Sequence, residues 1–157
     1  MVNFEENSDL KDFISGFSIE VLPKSASKIE SFAEILPKQT RVYIAHLAEE
    51  DINAMVATAK RLSDEGFTVM PHFPARIIQD NAMLHDWISM YQNEAGVEEA
   101  LLLAGGLNRP VGDFDSSIQL IESGLFDKAG FKRLHIAGHP EGNKDIDPNG
   151  GIKNVSE

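Results

Sequence analysis

The chain has 157 residues, a formal net charge of −11 and no cysteine, and its length suffices for one domain with a sizeable core. The excess of carboxylates argues against a nucleic-acid partner, because phosphate binding requires clustered lysine and arginine. The lack of cysteine excludes disulfides, thiolate chemistry and cysteine-ligated metal centres. No apolar run approaches the roughly 20 residues of a transmembrane helix, and acidic residues stand where a signal peptide would be basic. We therefore expect a cytoplasmic protein with no membrane and no nucleic-acid partner.

The chain begins with a predicted lead-in helix over residues 1–16, followed by a first strand. This strand, Phe17–Pro23, is apolar and β-branched, with Glu20 in its middle. Burying an unpaired charge costs several kcal/mol, according to the usual transfer scales. Glu20 is therefore expected either to face water at a strand edge or to lie in a pocket with a chemical role.

Strands and helices then alternate as far as a fifth strand. A capping-box spacing at Ser27 and Glu30 predicts the first of these helices, and apolar periodicity predicts the others. The predicted segments are helices over residues 27–36, 51–65, 79–94 and 116–129, and strands over residues 41–47, 67–71, 101–104 and 133–137. Parallel sheets alternate in this way, because a crossover helix returns the chain to the start of the next strand. Two architectures fit, an open doubly wound sheet and part of a (β/α)8 barrel.

Polar residues and glycines stand in or just after the predicted strands. They are Glu20, His46, His72, Gly105, Gly106, Asn108, His139 and Glu141. In a barrel the carboxyl ends of the strands meet on one face, and that face carries the chemistry. The prolines on either side of His72 predict a rigid loop beyond the third strand. Each residue also has an ordinary explanation, and His85 and His135 are expected to be structural.

One interpretation of these residues is a metal-dependent barrel hydrolase. His46, His72 and His139 would supply three imidazole ligands, and Glu20 or Glu141 would act as a base. The sequence signal for this site is weak, because it contains no tight spacing such as HxH or HExxH.

Three motifs resemble the methylenetetrahydrofolate reductase family, whose members are FAD-dependent (β/α)8 barrels. The matching segments are Phe17-Ser18-Ile19-Glu20-Val21-Leu22-Pro23, Met70-Pro71-His72-Phe73 and Ala137-Gly138-His139-Pro140-Glu141-Gly142. The resemblance implies an α/β fold with a parallel (β/α)8 TIM barrel, of which residues 17–145 would form about five β/α units. Residues 146–157 would be a polar tail or the start of the next unit. Because an unclosed barrel exposes strand edges and apolar surface, we expect a homo-oligomer or a fragment of a longer chain.

The resemblance also implies a reaction and a set of site residues. The reaction is the reduction of 5,10-methylenetetrahydrofolate to 5-methyltetrahydrofolate by NAD(P)H, with FAD relaying the hydride. Glu20 would be the general acid that protonates the folate. Contacts to FAD would come from Ala45, His46, Ala48, His72, Gly105, Gly106 and His139, and contacts to the folate substrate from Leu107 and Asn108.

The chain departs from the family pattern after the fourth strand. The family usually has Arg-Gly-Asp there, whereas Gly105-Gly106-Leu107 carries neither charged group. Asn108 supplies a hydrogen-bonding group but no negative charge in place of the aspartate. Asn143 stands where a second FAD-contacting histidine is common. These departures leave an alternative open, a folate- or flavin-binding fragment or divergent homologue without turnover.

Overall fold

A computed structural model describes residue 12 and residues 14–138 of the chain. Five parallel strands form one sheet in the order β1-β2-β3-β4-β5. The strands are β1 (Ser18–Val21), β2 (Arg41–Ile44), β3 (Thr68–Pro74), β4 (Glu99–Leu103) and β5 (Arg133–Ile136). The helices are α1 (Pro23–Ala26), α2 (Ile52–Asp64), α3 (Asn81–Ala95), α4 (Ser117–Glu122) and α5 (Leu125–Ala129), with 3-10 turns at Phe32–Glu34 and Ala75–Ile77. The predicted α/β class with a parallel sheet is confirmed.

The helices pack against one face of the sheet. Alternate strand residues such as Val42, Phe73 and Leu102 are fully buried there, in one core with Leu62 of α2 and Tyr91 of α3. The consecutive strand order contains no reversal, so crossovers of one hand place the helices on the same side. A doubly wound sheet reverses its order and carries helices on both faces. The described arrangement is compatible with part of a β/α barrel.

The face of the sheet opposite the helices is the inner face. Strand register places Glu20, Tyr43, Met70, His72, Leu101 and His135 on it. In a flat sheet β2 and β5 would lie about 14 Å apart, yet the ring centroids of Tyr43 and His135 are 6.0 Å apart. Met70 is fully buried although it points to this face. Both observations indicate that the sheet curves towards the inner face.

The predicted helix over residues 27–36 is wrong. The chain forms a single helical turn at α1, and Ser25 Oγ rather than Ser27 pairs with the residue before that turn, Leu22. Arg61 of α2 donates hydrogen bonds to the carbonyl oxygens of residues 26, 29 and 30, and Glu65 accepts from the amides of residues 32 and 33. These tertiary hydrogen bonds occupy backbone groups that a helix would have paired internally.

Two further boundaries differ from the prediction. The third strand continues through Pro71 and Pro74, so His72 lies within β3 and not in a loop beyond it. The prolines are tolerated because β3 pairs with β2 over residues 68–71 and with β4 over residues 72–74, so neither neighbour needs a continuous row of N–H donors. The single helix predicted over residues 116–129 is two short helices, because Gly124 between them takes a left-handed conformation with φ of 67°.

The helices predicted over residues 51–65 and 79–94 are confirmed as α2 and α3. The side chain of Asp51 caps α2 and that of Asp80 caps α3, each by accepting a backbone N–H. Gly96 ends α3 in the left-handed conformation. Within residues 12 and 14–138, no helix combines the length and apolarity needed to cross a bilayer. Most of the predicted lead-in helix lies outside the described residues, as does everything from His139 onward, including the tail over 146–157.

Candidate functional site

Glu20 and His72 come together on the inner face near the carboxyl ends of their strands. Glu20 Oε2 lies 3.3 Å from His72 Nε2, although β2 separates β1 from β3. The Glu20 side chain is 59% exposed, whereas the His72 side chain is only 10% exposed. The sequence left two alternatives for Glu20, exposure to water at a strand edge or a place in a pocket. The structure shows the exposed edge position, with one carboxylate oxygen in contact with the buried His72 ring. A ligand that binds on the inner face can therefore reach the other carboxylate oxygen of Glu20.

Burial keeps His72 in its neutral form at physiological pH. Removal from water lowers the pKa of His72 to about 4. The contact with Glu20 is therefore between a carboxyl group and a neutral ring, and its geometry does not satisfy a hydrogen bond. Among the residues the structure describes, His72 Nε2 has no hydrogen-bond partner. An unpartnered polar atom at this depth normally has a ligand or an ordered water as its partner.

His46 occupies the loop that follows β2 and stacks on a tryptophan. Its ring lies 4.8 Å from that of Trp87 between centroids, at an angle of 26°. Burial lowers the pKa of His46; a hydrogen bond with the backbone of Glu50 partly opposes this, and the neighbouring His72 lowers it further. Its Nδ1 also lacks a hydrogen-bond partner within the described part of the chain. Two histidines with unpartnered ring nitrogens thus lie at this end of the sheet, His72 on the inner face and His46 against Trp87 of α3.

The remaining predicted contact residues that the structure describes lie in the segments that follow β2 and β4. Ala45 is buried and Ala48 is exposed. Gly105 has a φ of 93°, and a Cβ there would lie 3.0 Å from Pro74 Cβ, so both its conformation and its packing favour glycine. Gly106, Leu107 and Asn108 follow in a loop, with Leu107 half-buried and Asn108 exposed. His139 and Asn143 lie outside the described residues.

No protein-family model matches the chain. The function must therefore be argued from the site itself, and the resemblance of its motifs to the reductase family remains a hypothesis.

Two residues that the sequence did not single out, Trp87 and Tyr43, contact the histidines of the site. Trp87 forms the platform for His46, and it is the one tryptophan of the chain. Tyr43 lies between two histidines, 6.2 Å from His72 and 6.0 Å from His135 between ring centroids. The sequence signal that could have identified Tyr43 is a tyrosine at an inward position of an otherwise aliphatic strand. Nothing in the periodicity of α3 distinguishes Trp87 from its core neighbours.

His135, which the sequence predicts to be structural, pairs with a carboxylate on the inner face. Its Nε2 lies 3.1 Å from Glu99 Oε2, and Arg133 approaches the same carboxylate oxygen at 3.8 Å. This second polar group lies deeper on the inner face, near the amino-terminal ends of β4 and β5. Tyr43 connects it with His72 through its two edge-to-face contacts.

Two other observations bear on the type of site. Over residues 12 and 14–138, no group of three or more histidine, aspartate or glutamate side chains is arranged to hold a metal ion; His139 of the proposed metal set lies outside that range. A cavity of about 640 Å³ lies at the opposite, amino-terminal end of the strands, lined by residues that include Phe17, Arg41 and Glu99. None of the predicted site residues that the structure describes lines this cavity, so the candidate site is the carboxyl-terminal part of the inner face.

Proposed function

We propose that the chain carries part of the flavin and folate site of a reductase that resembles the methylenetetrahydrofolate reductase family. The observation that carries the proposal is the contact between Glu20 and His72 on the inner face. These residues come from two of the three motifs on which the resemblance rests, and they lie far apart in the sequence. Residues that contribute to one ligand site must lie close together in space, as these two residues do.

The two unpartnered ring nitrogens fit the cofactor that the resemblance implies. His46 Nδ1 and His72 Nε2 are buried, neutral and free to hydrogen-bond within the described structure. A flavin ring presents hydrogen-bonding atoms along a planar edge, and when bound it would supply the hydride relay that no side chain can perform. His46 and His72 would hold this edge, and Gly105 and Gly106 would allow close approach of the backbone.

Glu20 is placed to give a proton to a substrate on the open side of the inner face. Its side chain is 59% exposed, and only one of its two carboxyl oxygens lies against the His72 ring. In this proposal Glu20 protonates the folate as its methylene bridge opens, and the proton returns from solvent after product leaves.

The finer architecture belongs to the same proposal. We propose that the five strands are consecutive strands of a (β/α)8 barrel whose inner face becomes the barrel interior. The unreversed strand order, the helices on one face and the curvature indicated by the contact between Tyr43 and His135 support it. Further strands, from a longer chain or another copy, would cover the inner face and enclose Glu20.

A second candidate function is binding of flavin or folate without turnover. The observation that favours it is the loop after β4, where Gly105-Gly106-Leu107 offers no charge to the ligands. The charged groups lost there are the ones that the family uses to touch flavin and folate. A chain that keeps His46 and His72 but lacks those charges could hold a ligand without aligning it for reduction.

The first experiment is reconstitution of the purified full chain with FAD, followed by absorbance and fluorescence. Uptake of flavin, its bleaching by NAD(P)H and its recovery with methylenetetrahydrofolate would support the reductase. Uptake without recovery by folate would favour binding without turnover. His72→Leu is expected to lose the flavin, whereas His85→Leu, at an exposed position of α3, is expected to keep it. A wild-type chain that takes up no FAD would end the flavoenzyme proposal.

A further inference from the structure

The loop between β4 and α4, residues 104–116, is anchored by one arginine side chain. Arg76 lies just beyond β3 in the Ala75–Ile77 turn, and its side chain is 17% exposed. Its Nη1 donates to the carbonyl oxygen of Leu107 at 2.9 Å. Its Nε donates to Asp115, at 2.7 Å to the carboxylate and at 3.1 Å to the backbone carbonyl oxygen.

The backbone of the same residue adds two more attachments. The amide of Arg76 donates to the carbonyl oxygen of Ala104 at 2.9 Å, and its carbonyl oxygen accepts from the amide of Val111 at 2.9 Å. Arg76 therefore holds the loop at its beginning, in its middle and at its end.

The loop has no regular secondary structure of its own to fix its path. A segment of this length loses much conformational entropy when it is ordered, so its order must come from contacts outside it. Besides Arg76, Gln79 holds the middle of the loop, where its carbonyl oxygen accepts from the amide of Asp113 at 2.8 Å. The side chain of Gln119 in α4 accepts from the amides of Asp115 and Ser116 at the end of the loop, and the ring of Phe114 is buried in the core. Gly112 packs so closely on Gln79 that a Cβ there would overlap its carbonyl group.

We propose that Arg76 is a positioning residue, which fixes the loop so that Gly106, Leu107 and Asn108 face the ligand. The inference rests on the proposed function, because it takes FAD as the ligand that Gly106 contacts and the folate as the ligand that Leu107 and Asn108 contact. An arginine suits the task because its planar fork directs several donors at fixed angles, which a lysine ammonium group does not. The ionic attraction between Arg76 and Asp115 contributes little to holding the loop, because the Asp115 side chain is 62% exposed and ion pairs exposed to water are weak.

The test measures amide hydrogen exchange in the loop and FAD affinity in the full chain. In Arg76→Lys the amides of Val111 and Asp113 should exchange about tenfold faster than in the wild type, because the loop opens locally. The FAD dissociation constant should rise about tenfold as the segment loses its fixed position. Asp115→Asn removes the charge but keeps an acceptor, and should change both quantities by less than about twofold.

Arg61 provides the matched control. Its guanidinium also donates to several backbone carbonyl oxygens, but on the helix-covered side of the sheet. Arg61→Lys should lower the melting temperature while leaving loop exchange and FAD affinity unchanged. Gly112→Ala keeps Arg76 but displaces the loop from Gln79, so it should weaken FAD binding as Arg76→Lys does.

Each result decides for or against the role of Arg76. Unchanged loop exchange in Arg76→Lys would overturn the anchoring, and faster exchange with unchanged FAD affinity would overturn the positioning role. Retained FAD affinity in Gly112→Ala would also count against it. If the wild-type chain binds no FAD, the proposed function fails, and loop exchange alone then decides whether Arg76 anchors the loop.

Discussion

Glu20 and His72 meet across an intervening strand, with Glu20 Oε2 at 3.3 Å from His72 Nε2. Strands two positions apart are separated by roughly 10 Å in a flat sheet, so the contact needs both inward-pointing side chains and a curved sheet. Because His72 is buried and Glu20 exposed, the histidine is the fixed member of the pair. The carboxyl group is held where a ligand on the inner face can reach it.

Replacing Glu20 by glutamine separates the two half-reactions of the proposed reductase. Glu20→Gln should abolish flavin reoxidation by methylenetetrahydrofolate while leaving flavin reduction by NAD(P)H largely intact, because only the folate half needs the proton. Stopped-flow absorbance of the bound flavin measures both steps. Glu99→Gln, at an inner-face carboxylate that pairs with His135, is the control and should leave both rates unchanged. Equal loss of both half-reactions in Glu20→Gln would show that Glu20 is structural.

Buried His72 makes stability depend on pH in the acid range. Its pKa is about 4 in the folded chain against an ordinary value of 6.5, so between these values the unfolded chain binds more protons. Stability is therefore full above pH 6.5 and decreases as the pH falls towards 4, by up to about 3 kcal/mol from this residue. Burial of His46, whose pKa is also lowered, acts in the same direction.

Urea unfolding midpoints between pH 7 and pH 4 measure this dependence. His72→Gln should flatten the curve over that window relative to the wild type, whatever its effect on stability at neutral pH. His85→Gln, at an exposed histidine, should follow the wild-type curve. A wild-type slope retained in His72→Gln would mean that His72 does not titrate differently in the two states.

Tyr91 offers a stability prediction away from the site. Its ring is fully buried against Phe73, and its hydroxyl has no partner within the described residues; burial also raises its pKa. Tyr91→Phe removes an unpartnered polar group and should stabilise the fold by about 1 kcal/mol, or about 2–4 °C in melting temperature. Tyr43→Phe, at a partly exposed tyrosine, should change the melting temperature little. A less stable Tyr91→Phe variant would show that the hydroxyl is hydrogen-bonded after all.

The elements that sequence patterns predicted well are those whose stability is local. Helices α2 and α3 have long apolar stripes and aspartate caps, and each of the five strands overlaps its predicted place along the chain. The failed helix over residues 27–36 had a capping-box spacing, but Arg61 and Glu65 of another helix took over its backbone groups. Side chains that reach across the fold in this way leave no periodic signal in the segment that they reorganise.

The candidate site was predicted in the same uneven way. The sequence grouped Glu20 and His72 by their places at strand ends, and they come together on the inner face, although His72 lies within β3 rather than in the loop predicted beyond it. The platform of Trp87 under His46 and the anchoring by Arg76 depend on how loops return to the sheet. Those contacts are tertiary, so the role of a residue such as Arg76 can be recognised only once the fold is known.

Leu107 tests whether the loop after β4 has the role that the resemblance gives it. Leu107→Asp restores a carboxylate at the position matched to the family aspartate, and should tighten folate binding if that position contacts the substrate. Val111→Asp is the matched control, because it adds the same charge at an exposed position of the same loop and should leave folate affinity unchanged. Isothermal titration of the FAD-loaded chain with the folate measures both. Equal affinities in wild type and Leu107→Asp would show that the alignment at residues 105–107 is wrong, while equal gains in both variants would reveal a general effect of charge.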